Sequence, residues 1–401
     1  MTNSVLIAGG GIGGLAAAVA LAQAGAAVEV MEQADRFSEV GAGLQLGPNA
    51  VRVLDAWGLK SQALALASRP DRVVARDARS GRVLSTLPLG DACERRYGQP
   101  YITIHRADLH RVLFAAAQAM PGVHLHLGTR VQAVDAQADG VRVQTEQGGW
   151  VANADAFVAA DGVWSQIRLL WDRDDVAQPT GHLAYRGLVP AAAVPNGEAL
   201  HSVTAWLGPR MHVVTYPVRG GAALNVVAVV HGSLPSKADT GSWTHAAQHD
   251  DLMRALGAVH PALQAVLQAA PGWTLWALHD RPPEQGPAFH AQGRVAWLGD
   301  AAHPMRPYLA QGAAMALEDA WTLGTLAQGA QSQDWPALLA RYADLRWQRN
   351  ARVQAAAVRG GEAFHASGPL RWARNIALAL AGARLMDKPW LYSGPPPVGA
   401  R

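Results

Sequence analysis

The hydrophobic residues fall into runs whose period changes along the chain, and the period predicts the elements. Val5–Ala8 is a short continuous apolar run, which reads as a strand covered on both faces. A glycine cluster follows, then the Ala/Leu-rich segment Leu15–Ala24, then Gly25 and a second apolar run ending in Glu32. That order predicts strand, tight turn, helix, strand. Pro48 and Asn49 open an amphipathic helix with Val51, Leu54 and Leu59 on one face. Arg72–Leu89 alternates around Ser80-Gly81, the pattern of a hairpin, and Ala92–Pro100 (ACERRYGQP) reads as a polar loop. After the strand Tyr101–Ile104, a helix runs from Leu109 to Met120, with Asp108 as its expected cap and Pro121-Gly122 as its end. Short strands then alternate up to Ala160. The first part of the chain therefore predicts a mostly parallel α/β sheet with an antiparallel insert.

Near Pro179 the pattern changes to alternation. From Gly181 to His231 four strands are expected, with turn signals spaced roughly 10 to 12 residues apart, the signature of an antiparallel sheet. Trp243–Ala270 reads as helical, and strand character returns at Thr274–Asp280 and Gly293–Asp300. From Trp335 a long amphipathic helix is expected, with breaks at Gly360-Gly361 and Gly368-Pro369, then a helix over Leu370–Met386 and a Pro-rich tail. No repeat or low-complexity linker separates these regions, so the domains interleave. One discontinuous nucleotide-binding domain is expected over residues 1–72, 100–178 and 288–330, a second domain over 73–99 and 179–287, and C-terminal helices and tail over 331–401.

The opening segment carries the first chemistry. Gly9, Gly11 and Gly14 fit G-x-G-x-x-G between a strand and a helix, with Glu32 ending the second strand. The first glycine makes the turn, the second admits a pyrophosphate, and the third lets helix pack on strand. The helix N-terminus favours phosphate, and the acid suits a ribose hydroxyl. A dinucleotide is therefore expected. Two further strands deliver acids in the same way: Asp155–Asp161 ends in Asp161-Gly162 before Ser165 and Arg168, and Gly293–Gly299 ends in Gly299-Asp300 before His303.

Composition narrows the rest. The chain has 401 residues, 50% of them hydrophobic, with formal net charge +3 and no block of like charge, so nothing points to nucleic acid. Its single cysteine, Cys93, rules out an internal disulfide and suits a reducing, cytoplasmic setting. No apolar run is long enough for a membrane span, and the glycines with Glu29 and Glu32 suit a folded unit better than a signal peptide. Among 15 histidines the closest groupings, His124/His126 and His105/His110, lack metal-ligand spacing and read as surface or strand residues, so no metal is expected.

Together the three motifs, in this order, resemble the single-component FAD-dependent aromatic hydroxylases, the flavoprotein monooxygenases. The likeness covers nearly the whole chain. Through GAGLQLGPNA, WLGPRMHVVTYPVRGG and HPMRPYLAQGAAMALEDA the sequence looks most like the salicylate hydroxylase, 3-hydroxybenzoate 6-hydroxylase and 6-hydroxynicotinate 3-monooxygenase group. The resemblance implies an α/β Rossmann-like FAD-binding domain interleaved with an antiparallel-sheet (α+β) substrate domain, FAD as cofactor, NADH or NADPH and O2 as co-substrates, and a small aromatic substrate. It implies hydroxylation of a phenolic or heteroaromatic acid through a flavin C4a-hydroperoxide. A larger polycyclic substrate, or flavin binding without productive turnover, stay open as alternatives, and a homodimer is allowed. Because the opening fold would hold FAD and no second dinucleotide fold follows, Glu32 says nothing about NADH against NADPH.

Carried onto this sequence, the resemblance assigns Gly9, Gly11 and Gly14 to the pyrophosphate, Glu32 to the adenosine ribose and Arg106 to the phosphates. It places Val131 near the adenine, and the small residues Gly41, Ala42 and Gly43 would let the backbone pass close to a flat ligand. Asp161 would lie beside FAD and Asp300 at the ribityl chain, with Gly312 and Ala313 at a helix start aimed at the flavin. His212 and Tyr216, four apart on an expected strand, would face the substrate together as proton acceptor and hydrogen-bond partner. Pro217 would lie over the flavin face. Arg306 departs from its relatives: inward, its guanidinium would pair with a substrate carboxylate, and outward it would be a solvated charge. Tyr308 and Gln45 complete the expected lining.

Overall fold

The computed structural model describes residues 3–37, 42–146, 148, 150–172, 174–195, 197–233 and 245–395. Ser4–Ala8 lies between Ala27–Met31 and Ala156–Ala159, and Val295–Trp297 continues the sheet, all in parallel register. Val123–His126 extends it in parallel beyond Ala27–Met31, and Ala291–Gln292 closes the other edge antiparallel. The first strand feeds both sides of the sheet. Val5 and Ile7 enter one core with the helices Ile12–Gln23 and Gly312–Ala327, while Leu6 and Ala8 enter another beneath the sheet Val131–Ala136, Val141–Thr145 and Trp150–Ala154. Burial on both faces is why the run is continuously apolar. The two helices touch closely enough that a Cβ on Gly324 would meet Ala20 Cβ at 2.7 Å.

A second sheet of eight strands runs in the order His245–Ala247, Trp273–Asp280, Gln178–Pro190, Ala223–His231, Met211–Val218, Ser202–Gly208, Arg72–Asp77 and Val83–Pro88. It is antiparallel except where Ser202–Gly208 runs parallel to Arg72–Asp77. The helices His249–Leu256 and Pro261–Gln268 cover one face of it. Helices Trp335–Phe364 and Gly368–Met386 follow at the C-terminus. The fold is thus α/β with an interleaved, mostly antiparallel second sheet and C-terminal helices, as expected. No described helix is long and apolar enough to cross a membrane.

Several local expectations are corrected. Ala92–Pro100 is not a loop: Gly90–Tyr97 is a helix, ended by Gly98 at φ +73°. Its charges hid it, since Cys93 is its single buried residue. His105, not Asp108, caps the helix Arg106–Gln118, with Nδ1 accepting from Ala107 N at 3.3 Å; as one of the two readings had it, His105 lies on a strand, at the buried end of Ile102–His105. The Trp335 helix runs unbroken through Gly360-Gly361. Gly361 is needed there for contact, because a Cβ would meet Tyr308 Cε2 at 2.6 Å. Gly41, Trp243 and the last residues of the tail lie outside the described residues.

Candidate active site

The parallel strands bring the three motifs to one edge. Gly9 follows Ala8, Glu32 follows Met31, Asp161 follows Ala159 by two, and Gly299-Asp300 follows Trp297, so all leave the carboxyl ends of adjacent strands, where ligands bind in such sheets. The glycines differ in duty. Gly9, at φ +103°, has no room for a side chain, since a Cβ would meet Ala160 O at 2.4 Å. On Gly14 it would meet Gly9 O at 1.9 Å, and on Gly11 it would meet nothing within 4 Å. The open position is therefore Gly11, where the backbone faces outward at the start of helix Ile12–Gln23 with no side chain capping it. Glu32 is held on the same turn, accepting from Gly10 N at 2.6 Å and Ala34 N at 2.8 Å. His110 braces it from behind through Gly10 O at 2.8 Å, a role its sequence spacing did not reveal.

Arg106 begins its helix with an exposed side chain, its backbone N donating to Ala42 O at 3.1 Å. Its guanidinium makes no ion pair among the described residues and lowers the Asp300 pKa across the gap. The Asp300 side chain is open to that gap, yet the surrounding protein walls raise its carboxyl pKa, while Arg106, His303 and Arg281 pull it back. Gly312 opens the helix Gly312–Ala327 beside it, with a Cβ position 3.8 Å from Asp300 Oδ1, no side-chain cap, and Ala313 next in line. Asp161 keeps one oxygen on Ile167 N at 3.2 Å and leaves Oδ1 buried without a partner; burial raises its pKa against these hydrogen bonds. Val131 lies farther along the edge, buried against the second core.

Two buried networks, which the sequence reading missed, hold the Asp300 loop. Arg168, the last residue of the second motif, donates to Ala301 O and Ala302 O and pairs with Asp175 and Glu284. On the other side, Asp319 accepts from Gly299 N at 3.0 Å, from His303 and from Arg346 Nε at 2.7 Å. Glu318 pairs with Arg346 and Arg349, and Asn49 bridges it to Gln311 at the helix start. Burial would push both carboxyls up, but Arg349 and Arg346 at Glu318, and His303 and Arg346 at Asp319, hold them below the usual range.

The second sheet supplies the facing wall. Register alone assigns its residues, since directly paired residues share a face. His182 pairs with His231, Arg186 with Val227, His212 with Val229 and Tyr216 with Asn225, and these lie on the face away from the helix-covered core. Pro217 pairs with Leu224, a core residue, so its ring turns to the covered face; this corrects its expected place over the flavin, and only its carbonyl contributes here, accepting from Thr103. Tyr216 OH donates to Gly43 O at 2.6 Å, and Gly43 N donates to Asn225 Oδ1 at 2.7 Å. A Cβ on Gly43 would meet the Tyr216 ring at 2.5 Å. Gln45 accepts from Tyr101 OH at 2.7 Å beside it.

His212 is buried, with Nδ1 2.8 Å from His365 Nε2, while its Nε2 has no protein partner among the described residues. Burial, then His182, lowers its pKa to about 3, so the ring is neutral. Tyr308 packs 5.2 Å from it, ring to ring, with a buried hydroxyl lacking a partner. Arg306 is neither a free inward guanidinium nor a solvated one: it pairs with Asp280 at 2.6 Å. On this wall Arg186 has no carboxylate counter-ion among the described residues. It lies 3.2 Å over the Trp276 ring, its Nε is buried without a partner, and burial lowers its pKa to about 9, Tyr216 opposing and Arg106 adding. Its signal in sequence was faint, a lone arginine in a strand that carries no motif.

A glycine turn with one open backbone position, two uncapped helix starts, an unpaired arginine and an acid open to the gap fit an adenine dinucleotide lying across the sheet edge toward a second, aromatic-binding wall. That is the layout of a flavoprotein. The FAD binding domain family matches residues 2–357, and the chain belongs to it. It is 37% identical to 3-hydroxybenzoate 6-hydroxylase of Polaromonas naphthalenivorans over 92% of this chain and 90% of that one. It is 40% identical to 3-amino-4-hydroxybenzoate 2-monooxygenase of Streptomyces cremeus over 90% and 87%. A salicylate hydroxylase substrate complex superposes with a TM-score of 0.80 at 28% identity, covering 97% and 98% of the two chains. The protein is an FAD-dependent aromatic monooxygenase.

Gly11 and the helix start at Ile12 would hold the pyrophosphate, Glu32 the ribose, and Arg106 and Asp300 the phosphates and ribityl chain. Arg106→Ala and Asp300→Ala are each expected to weaken FAD by at least tenfold, about 1.4 kcal/mol, read as the flavin-to-protein absorbance ratio after gel filtration. Wild-type retention in both would overturn these roles.

Proposed function

We propose that this enzyme hydroxylates a small phenolic or heteroaromatic carboxylic acid with NADH or NADPH and O2. Residues 1–72, 100–178 and 288–330 hold FAD, and 73–99 with 179–287 hold the aromatic. The single observation that carries the substrate class is Arg186: a guanidinium whose Nε is buried without a partner, on the same sheet face as His212 and Tyr216. A buried cation without a counter-ion is unfavourable, and a substrate carboxylate supplies one through charge-assisted hydrogen bonds. Both relatives, named for activity on hydroxybenzoates, support the same class.

Bound FAD supplies reducing equivalents and oxygen activation; this chain orients the ring, keeps the site dry and manages a proton. Trp276 and Tyr308 wall the ring, and Arg186 fixes its carboxylate. Neutral His212 offers Nε2 to the phenol, and the electron density this proton sharing leaves on the ring favours attack by an electrophilic oxygen. A developing phenolate beside the imidazole raises its proton affinity, offsetting the depression caused by burial. Tyr216, its proton committed to Gly43 O, can only accept from substrate, and it also fixes the backbone at Gly43.

The test is a panel of benzoates, hydroxybenzoates and hydroxynicotinates, scored by NADH and NADPH consumption and by product mass. At least one acid should gain a single oxygen. Arg186→Met should raise KM for that acid by about 10²-fold or more, the loss of a charged hydrogen-bonded contact, with little change for its amide. Hydroxylation of neutral aromatics alone would remove the carboxylate from the reading.

A further inference from the structure

Three histidines distant in sequence converge beside His212. His182 and His231 are register partners on neighbouring strands, and His365 ends the Trp335 helix. Each offers one ring nitrogen, and these nitrogens all lie within 4.8 Å of one another. His231 Nε2 is 2.9 Å from His365 Nδ1, and His182 Nδ1 rests on Thr180 Oγ1 at 3.3 Å, which leaves its Nε2 for other use. A neutral imidazole carries one lone-pair nitrogen that can bind a metal. Neither flavin nor substrate, as placed above, uses these three histidines.

We propose that His182, His231 and His365 bind one late first-row divalent ion, of which Zn2+ is the probe, and that its binding fixes the tautomer of His212. Tetrahedral zinc with Zn–N bonds of about 2.0–2.1 Å puts its ligand nitrogens about 3.3 Å apart. The His231–His365 pair already stands near that spacing, and side-chain rotation brings in the third nitrogen. An all-imidazole set selects such ions over Mg2+ or Ca2+. His231 is exposed, which gives the ion a way in and leaves a coordination position for water. Arg306 is neutralised by Asp280, but Arg210 lies close to His231, so affinity in the micromolar range is expected rather than that of a structural zinc.

The coupling follows from hydrogen positions. Metal on His365 Nδ1 leaves its proton on Nε2, which then donates to His212 Nδ1, 2.8 Å away. His212 must carry its own proton on Nε2, and the nitrogen facing substrate becomes a donor. The ion therefore acts as a reversible inhibitor, an effect that rests on His212 being the proton acceptor proposed above.

Calorimetric titration of ZnCl2 into tag-free, FAD-loaded enzyme stripped with a chelator should show one site, weakened about tenfold or more in His182→Ala and His231→Ala. Hydroxylation should fall as that site fills in the wild type, and the same Zn2+ should leave the rate of His231→Ala unchanged relative to its metal-free value. Equal affinity in wild type and both variants, or no binding, overturns the site. Full occupancy with undiminished hydroxylation overturns the coupling. Binding is read without substrate, so an error in the substrate class leaves the calorimetric result intact.

Discussion

Arg346→Met is expected to destabilise the protein by about 3–5 kcal/mol, the cost of leaving a buried charge without its partner. Arg346 is 1% exposed and touches Asp319 Oδ1 at 2.7 Å and Glu318 Oε2 at 3.0 Å, both carboxylates being fully buried. Arg349 still serves Glu318, and His303 and Asn350 still serve Asp319, so the loss is partial. Because Asp319 also holds Gly299 N, the variant should lose flavin as well as midpoint in a denaturant titration. Adding Asp319→Asn should recover part of the stability, since neutralising the stranded carboxylate removes the penalty the first change created. If the single variant unfolds like the wild type, the network is not what holds the loop. Acid acts on the same groups. Both carboxyls are held below their ordinary range, so their stabilisation is complete above about pH 4, where unfolded carboxylates ionise, and is lost as pH falls through the lower folded values.

His212→Ala should keep FAD and lower hydroxylation by about 10²–10⁴-fold, the usual reach of a positioned proton acceptor. None of the flavin-holding residues named above touches it, so its removal acts on the aromatic. NAD(P)H oxidation should continue in part and divert to hydrogen peroxide, because a ring that keeps its phenolic proton is a poor acceptor of electrophilic oxygen. The measurement is product formed per NAD(P)H consumed. Unchanged, fully coupled turnover would remove His212 from the chemistry.

What could be read in the sequence was what is local. Each acid motif sits at the end of its own strand, so a linear reading finds Glu32, Asp161 and Asp300, and a parallel sheet then brings them to one edge without further instruction. His212 and Tyr216 were legible through the likeness of HVVTYPV to the related hydroxylases, and the strand period of two put them on one face. What escaped depends on contacts between distant segments. Arg306 stands in a motif, yet Asp280, 26 residues away, neutralises it, while Arg186, in an unmarked strand, has no carboxylate counter-ion among the described residues. Glu318-Asp319 inside an Ala/Leu-rich helix was a warning of buried charge, but its arginines lie on the next helix. The histidines at 182, 231 and 365 share no spacing at all, and only the paired strands of the second sheet and the end of a helix bring them together.

The contact between Gly361 and Tyr308 couples the helix Trp335–Phe364 to the proposed aromatic wall. Tyr308 lies against the helix backbone at Gly361 on one side and 5.2 Å from His212 on the other. The smallest side chain at position 361 would push the ring toward the sheet and narrow the space left for an aromatic acid. On the proposed placement of Tyr308 in the aromatic wall, a residue that never meets the substrate would set the size of acid the site admits.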